Sequence, residues 1–190
     1  MAWSGALFAS QTDPRSTYAS AFSGFVFTTD SRNATALSVL LLQFGKNSAL
    51  VKEYGESEVQ AVMERVGQIF AANIRSNDLA FRYDTTTIAI LLGETAEKEA
   101  MLAVEKLRKT ISDVRLPSKD GSGKDGSAQG QPMLFSAGLA EAVIRTEYDP
   151  VDVVTEVINR AEHALAQAMS QGPGKIVAEG PAALAAGAVA

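Results

Sequence analysis

Residues Leu79 to Leu92 read LAFRYDTTTIAILL: two short runs of apolar, β-branched and aromatic side chains, Leu79 to Tyr83 and Thr87 to Leu92, flanking Asp84-Thr85-Thr86. Strand-forming runs joined by a short polar turn predict a β-hairpin. Side chains alternate across a strand, so Leu79, Phe81 and Tyr83 share one face of the first arm, and Ile88, Ile90 and Leu92 share one face of the second. The second arm is apolar on both faces, which expects a place inside a covered sheet.

Working outward, Ala36 to Phe44 (ALSVLLLQF) is a buried-strand candidate for the sheet centre, and Asn47 to Gly55 is a short connection open to a helical start. From Glu56 to Ile74 the residues Val59, Val62, Met63, Val66, Phe70 and Ile74 recur in steps of three and four, the period of an amphipathic helix. Beyond the hairpin, Thr95 is a candidate cap for a second helix running to about Ser112, with Ala100, Val104, Leu107 and Ile111 in one stripe. Ser118 to Pro132 is rich in Gly, Ser, Lys and Asp and predicts a mobile surface loop without assigned function. Met133 to Ala140 reads as a strand interrupted at Gly138. Asp149-Pro150 opens a third helix carrying Val154, Val157, Ile158, Ala161, Leu165 and Ala168, and Gly172-Pro173-Gly174 ends it before a short edge strand at Lys175 to Ala178.

The resulting order is strand, helix, hairpin, helix, strand, helix, strand. It predicts an α+β fold, a ferredoxin-like or palm-type sandwich with a mostly antiparallel central sheet and helices on one face. The expected organisation is an N-terminal extension over residues 1–12, one domain over 13–179 with a flexible loop at 118–132, and an Ala/Gly-rich tail over 180–190. Gly24 to Asp30 (GFVFTTD) suggests an added strand near the start, with an edge open to a partner.

A chain of 190 residues, 46% hydrophobic, suffices for one sizeable core. A formal charge of −5 without a Lys/Arg cluster leaves no footprint for nucleic acid. The absence of cysteine removes disulfides, zinc thiolates and thiol nucleophiles. The opening MAWSGALFAS has no basic start and no long apolar core, so it is a poor signal peptide. No run reaches the ~20 apolar residues of a membrane helix, and the expected location is cytoplasmic.

The hairpin and several further strings carry a resemblance. Arg82-Tyr83 and Ala89-Ile90-Leu91-Leu92 flank the turn, Tyr54-Gly55 precedes the first long helix, and Glu105-Lys106-Leu107-Arg108 lies in the second. Ser136-Ala137-Gly138-Leu139-Ala140 forms the late strand, and Arg160-Ala161-Glu162 with Ala164-Leu165 lies in the last helix. In order and spacing these resemble the diguanylate cyclases known by their GGDEF motif, whose hairpin usually reads RYGGDEFAILL. The resemblance spans roughly Asp13 to Val177.

In that family two carboxylates hold magnesium against the GTP phosphates, and metal-assisted phosphoryl transfer depends on such hard oxygen ligands. The resemblance places Asp84-Thr85-Thr86-Thr87-Ile88 on the five motif positions. It places Gln43 and Gly45 on the first-strand aspartates, Asn47 and Ser48 on a Phe-Lys pair, and Val51 and Lys52 on base contacts. Met169 falls on a phosphate-binding lysine, and Pro173-Gly174 on an Arg-Asn pair. It therefore implies a domain that does not make cyclic di-GMP, with no catalytic residues, metal or cofactor. Asp84 reads either as a displaced metal ligand or, as is usual for an Asp in a tight turn, as a group bonded to its own backbone.

One family element is matched in type and spacing. Arg75-Ser76-Asn77-Asp78 stands where many members carry an Arg-x-x-Asp inhibitory site for cyclic di-GMP, and Lys106 falls on an additional basic residue. A guanidinium grips phosphate or a guanine edge bidentately, and a carboxylate accepts from guanine N–H groups. The residues read equally as an exposed i,i+3 pair worth a few tenths of a kcal/mol. The implied functions are thus a cyclic di-GMP receptor through Arg75, Asp78 and Lys106, or a ligand-free interaction domain with a protein partner or homodimer. An active phosphotransferase using relocated residues is a third. His163, without a partner His or Cys, reads as a half-exposed surface group. Trp3 and Tyr18 read as packing residues, and Ser136 lacks the base a nucleophile needs.

Overall fold

A computed structural model describes residues 35–76, 78–116, 130–144 and 150–180. The strands are β1 (Thr35–Gln43), β2 (Leu79–Arg82), β3 (Thr87–Gly93), β4 (Ser136–Ile144) and β5 (Ile176–Glu179). The helices are α1 (Asn47–Tyr54), α2 (Glu56–Asn73), α3 (Glu97–Thr110) and α4 (Pro150–Ser170). The expectations for Trp3, Tyr18, residues 24–30, most of the 118–132 loop and the 181–190 tail lie outside the described residues.

The strands form one sheet in the order β2-β3-β1-β4-β5, with β1 at its centre. All pairings are antiparallel except β4 with β5. The hairpin pairs Leu79 with Leu91 and Arg82 with Ile88, and β3 is buried along six of its seven residues. This is the mixed sheet with flanking helices expected of a palm-type fold.

Helices cover both faces of the sheet, which corrects the expectation of one. Successive residues of β1 point to opposite sides, and both sides are apolar. Leu40, Leu42 and Phe44 join Ile88, Ile90 and Leu139 beneath α2 and α3, which contribute Val59, Met63, Val66, Phe70, Ala100, Val104 and Leu107. Leu37, Val39 and Leu41 join Ala89, Leu91 and Ala140 beneath α4, which contributes Val157, Ala161 and Leu165. On the first side Phe44, Phe70 and Phe135 form a ring cluster with centroids 5.6–6.2 Å apart.

Three local expectations are also corrected. Asn47 to Tyr54 is a full helix. The cap of α3 is Ala96, whose N–H donates to Glu99 Oε2 at 3.0 Å, because Thr95 is still tied to the sheet. The Thr95 N–H donates to the Ala36 carbonyl, its hydroxyl turns back to Gly93, and Ser38 donates to its carbonyl. Finally, β4 begins at Ser136 and runs through Gly138 without a break.

Gly138 is there for closeness rather than for a turn. A β-carbon at this position would sit 2.2 Å from the Ala161 carbonyl oxygen and 2.3 Å from the Leu165 nitrogen, so α4 rests directly on the β4 backbone. Arg160 fastens the far edge, donating to the carbonyls of Glu141, Glu179 and Gly180 at 2.6–2.8 Å. Among the described residues no helix is long and apolar enough to cross a membrane. Gly138→Ala is expected to lower stability by at least about 2 kcal/mol through overpacking against backbone; an unchanged urea midpoint would refute this account of the close approach.

Candidate functional site

The hairpin turn closes on itself. Asp84 accepts the Thr86 N–H on Oδ1 at 2.7 Å and the Thr87 hydroxyl on Oδ2 at 2.9 Å. Arg82 grips the outside of the turn, donating from Nε to the Asp84 carbonyl and from Nη2 to the Thr85 carbonyl at 3.2 and 2.9 Å. Thr86 then pins the turn to the end of β1, its hydroxyl donating to Gly45 O at 3.1 Å while its carbonyl accepts the Phe44 N–H at 2.9 Å. Thr86 and Thr87 are buried. The self-bonded reading of Asp84 matches this geometry, with both carboxylate oxygens engaged inside the turn.

The surrounding positions carry no carboxylate. Gln43 ends β1 opposite Thr87, Gly45 takes a φ of +121°, and Asn47 and Ser48 are exposed on the first turn of α1. Val51 and Lys52 lie further along that helix. Met169 packs partly buried against the α4-side core, and the Gly174 carbonyl accepts a 2.9 Å bond from Arg108. Among the described residues no group of three or more His, Asp or Glu side chains is placed to hold a metal ion.

A second cluster gathers at the end of α2. The Asp78 N–H donates to the Arg75 carbonyl at 3.1 Å, and Asp78 Oδ2 accepts the Arg75 N–H at 3.0 Å, so the carboxylate closes the connection between α2 and β2. Arg75 is exposed, and its guanidinium makes no hydrogen bond or close ion pair among the described residues. Lys106 reaches across from α3 and donates to Asn73 O, the last carbonyl of α2, at 3.1 Å. The fold thus brings Arg75, Asp78 and Lys106 to one place. The exposed side-chain pair considered for Arg75 and Asp78 does not form, because Asp78 is buried and bonds the Arg75 backbone instead.

Burial pushes the Asp78 carboxyl above its ordinary range, opposed in part by the Arg75 N–H, the Arg75 charge and the Gly93 amide. The Gly93 amide helps electrostatically, yet Oδ1 is buried without a hydrogen-bond partner of good geometry.

Sequence reasoning missed the polar contacts of the hairpin and α4. Tyr83 donates its hydroxyl to Glu162, tying the hairpin to α4, and His163 contacts Glu179 while remaining mostly exposed. Burial raises the pKa of Glu156, which Arg160 opposes and Glu179 reinforces. Only Arg82 was within reach of a sequence argument, since it lies two residues before the turn Asp and can reach its carbonyls. Ser136 donates a long bond to Gly172 O at 3.4 Å, and no hydrogen bond to a base is made by its hydroxyl among the described residues. If Asp84 is chiefly a turn clamp, Asp84→Ala costs about 1–2 kcal/mol by leaving two donors unpaired. Magnesium should leave the melting temperature of the parent unchanged, and a magnesium-dependent rise lost in Asp84→Ala would show a metal ligand instead.

The family model for the diguanylate cyclase GGDEF domain matches residues 25–175. Diguanylate cyclase DosC of Escherichia coli (strain K12) is 30% identical over 90 residues, which are 47% of this chain and 20% of DosC, so the match spans about a fifth of that relative. The GGDEF domain of DgcB from Caulobacter crescentus, crystallised in complex with c-di-GMP, superposes with a TM-score of 0.68 at 16% identity, covering 86% of this chain and 89% of that one. The FimX GGDEF domain from Pseudomonas aeruginosa gives 0.67 at 15% identity, covering 90% of this chain and 100% of that one. At these identities the structural likeness is one of fold, and it coincides with the family match along most of the sequence. The chain belongs to the GGDEF domain family of diguanylate cyclases.

Proposed function

We propose that this domain does not synthesise cyclic di-GMP and instead serves as a regulatory receptor for it, gripping the dinucleotide through Arg75 with Asp78 and Lys106 beside it. The observation that carries the reading is the exposed Arg75 guanidinium, without a hydrogen bond or close ion pair among the described residues, on the connection that follows α2, with Asp78 closing that connection and Lys106 on the last carbonyl of α2. The closed backbone fixes the point from which the Arg75 side chain leaves the chain, and the guanidinium keeps its donors available for a phosphate or a guanine edge, with the side chain itself ordered on binding. The complex of the DgcB domain with c-di-GMP supports the reading at the level of fold.

The hairpin supports the other half. Two-carboxylate magnesium chemistry requires hard oxygen ligands facing the nucleotide phosphates. Gln43, Gly45 and Thr86 supply no carboxylate at the corresponding positions, and Asp84, the one acid in the turn, is bonded to Thr86 and Thr87.

A second reading, a ligand-free interaction domain joined to a protein partner or to its own copy, is favoured by one observation. Asp78 keeps one oxygen on the Arg75 backbone and the other buried, so neither faces outward.

Calorimetry with cyclic di-GMP separates the two. The receptor reading expects heat of binding with the parent and affinity about ten- to a hundredfold weaker in Arg75→Ala, as for a lost charge-assisted bond. No heat with the parent favours the interaction domain, which light scattering would then show as a dimer or a defined complex. With GTP and magnesium, pure protein should give no product above a buffer blank; turnover would return the domain to the enzymes.

A further inference from the structure

Asp78 is a buried carboxyl with an incomplete set of partners. Its residue is 8% exposed, Oδ2 accepts the Arg75 N–H at 3.0 Å, and Oδ1 is shut off from solvent with no hydrogen bond of good geometry among the described residues, the Gly93 amide alone favouring its charge. An ionised oxygen left so is expensive, since desolvation falls on the charged form and the Arg75 and Gly93 amides offset it only in part. Two routes relieve it: the carboxyl takes up a proton, or it turns outward to water.

The inward geometry suits the neutral group. Oδ2 still accepts from Arg75, and burial of an uncharged Oδ1 costs far less. The outward route is open to the ionised group, because Arg75 and Ser76 on the same connection are exposed. A carboxylate that turns out comes beside the Arg75 guanidinium, which has no other hydrogen bond or close ion pair among the described residues.

We propose that the connection from Arg75 to Asp78 is a proton-gated latch: closed while Asp78 holds its carboxyl inward and neutral, and open, with the carboxylate at the surface beside Arg75, once the proton leaves. The ligand arm of this proposal rests on the receptor reading above. A guanine edge offers N–H donors side by side, which an ionised carboxylate accepts on both oxygens and more strongly than a neutral carboxyl does, so cyclic di-GMP selects the open form and its binding expels the Asp78 proton to solvent.

The charged groups on the packed elements fit a single-group gate. Arg75 is the one whose charge acts on Asp78, in the direction of ionisation. Lys106, from α3, is engaged on Asn73 O. Glu94, one residue beyond Gly93 at the end of β3, is exposed. Burial outweighs these in raising the carboxyl above its ordinary range. The folded domain therefore holds this proton more tightly than the unfolded chain does. The stability so gained is fully present below the ordinary Asp range and is lost as pH rises through the raised folded value.

The test is a carboxyl-carbon NMR titration of the full chain, free of ligand, joined to calorimetry with cyclic di-GMP across the same pH range. Asp78 is expected to titrate above the ordinary value of about 3.9, with the Arg75 and Gly93 amide signals moving at the same midpoint. Asp78→Asn should remove that midpoint; if this variant does not fold, the parent titration decides alone. Below the midpoint, affinity should fall about tenfold per pH unit, the consequence of one linked proton, and binding heats should differ between buffers of unlike ionisation enthalpy. Titration in the ordinary range, or an Arg75 amide that does not follow, overturns the latch whether or not ligand binds. Affinity independent of pH overturns the gating. A normal latch titration with no ligand heat at any pH removes the receptor reading and leaves the latch standing.

Discussion

The domain is organised by a central strand that must be hidden on both sides. Leu37, Val39 and Leu41 point one way from β1, and Leu40 and Leu42 the other, with Phe44 just beyond them. Each large side chain buried from water contributes about 1.5–3 kcal/mol, so neither face can be left to solvent. The strand therefore needs neighbours on both edges and helices on both faces. β3 shares this double demand and sits next to β1, with the half-buried β2 at the margin. The ends of these strands and the loops between them then carry the polar positions, Asp84 at the hairpin and Asp78 before it.

Those two aspartates perform the same local task in different surroundings. Each accepts a backbone N–H close in sequence and so closes a connection between elements. Asp84 is exposed and its second oxygen takes the Thr87 hydroxyl, so its charge is supported by solvent and by two donors. Asp78 is buried and its second oxygen takes no hydrogen bond of good geometry among the described residues. The difference arises because the hairpin turn projects beyond the sheet, whereas the connection before β2 lies against the end of α2 and the last residue of β3. A carboxylate in the first setting is a turn clamp, and in the second it becomes a group whose proton has consequences.

Much of the fold was legible in sequence because it is written in short-range periodicity. The stripe of Val59, Met63, Val66 and Phe70 defines α2, and the alternation of Ile88, Ile90 and Leu92 places one face of β3. Gly138 was misread as an interruption, since a glycine in an apolar run looks like a break. Its purpose is visible only when the Ala161 carbonyl and the Leu165 nitrogen are seen lying where a β-carbon would be. Thr95 was misread for a related reason: its residue type suits a cap, but its backbone is claimed by the β1 edge, so the helix begins one residue later.

Of the candidate site, the residue types and spacing of Arg75, Asp78 and Lys106 were legible, as was the absence of carboxylates from the turn positions that follow Asp84. By itself the sequence determined the order of the main strands and long helices, the place of the hairpin and the residues available for chemistry, because local pattern and side-chain type carry that information. Tertiary structure alone decided that α4 lies on the opposite face from α2 and α3, and that Lys106 is spent on the end of α2. It alone decided that Asp78 faces inward while Arg75 faces solvent. These outcomes depend on which atoms approach from distant parts of the chain, and burial and hydrogen-bond supply are properties of that assembled environment.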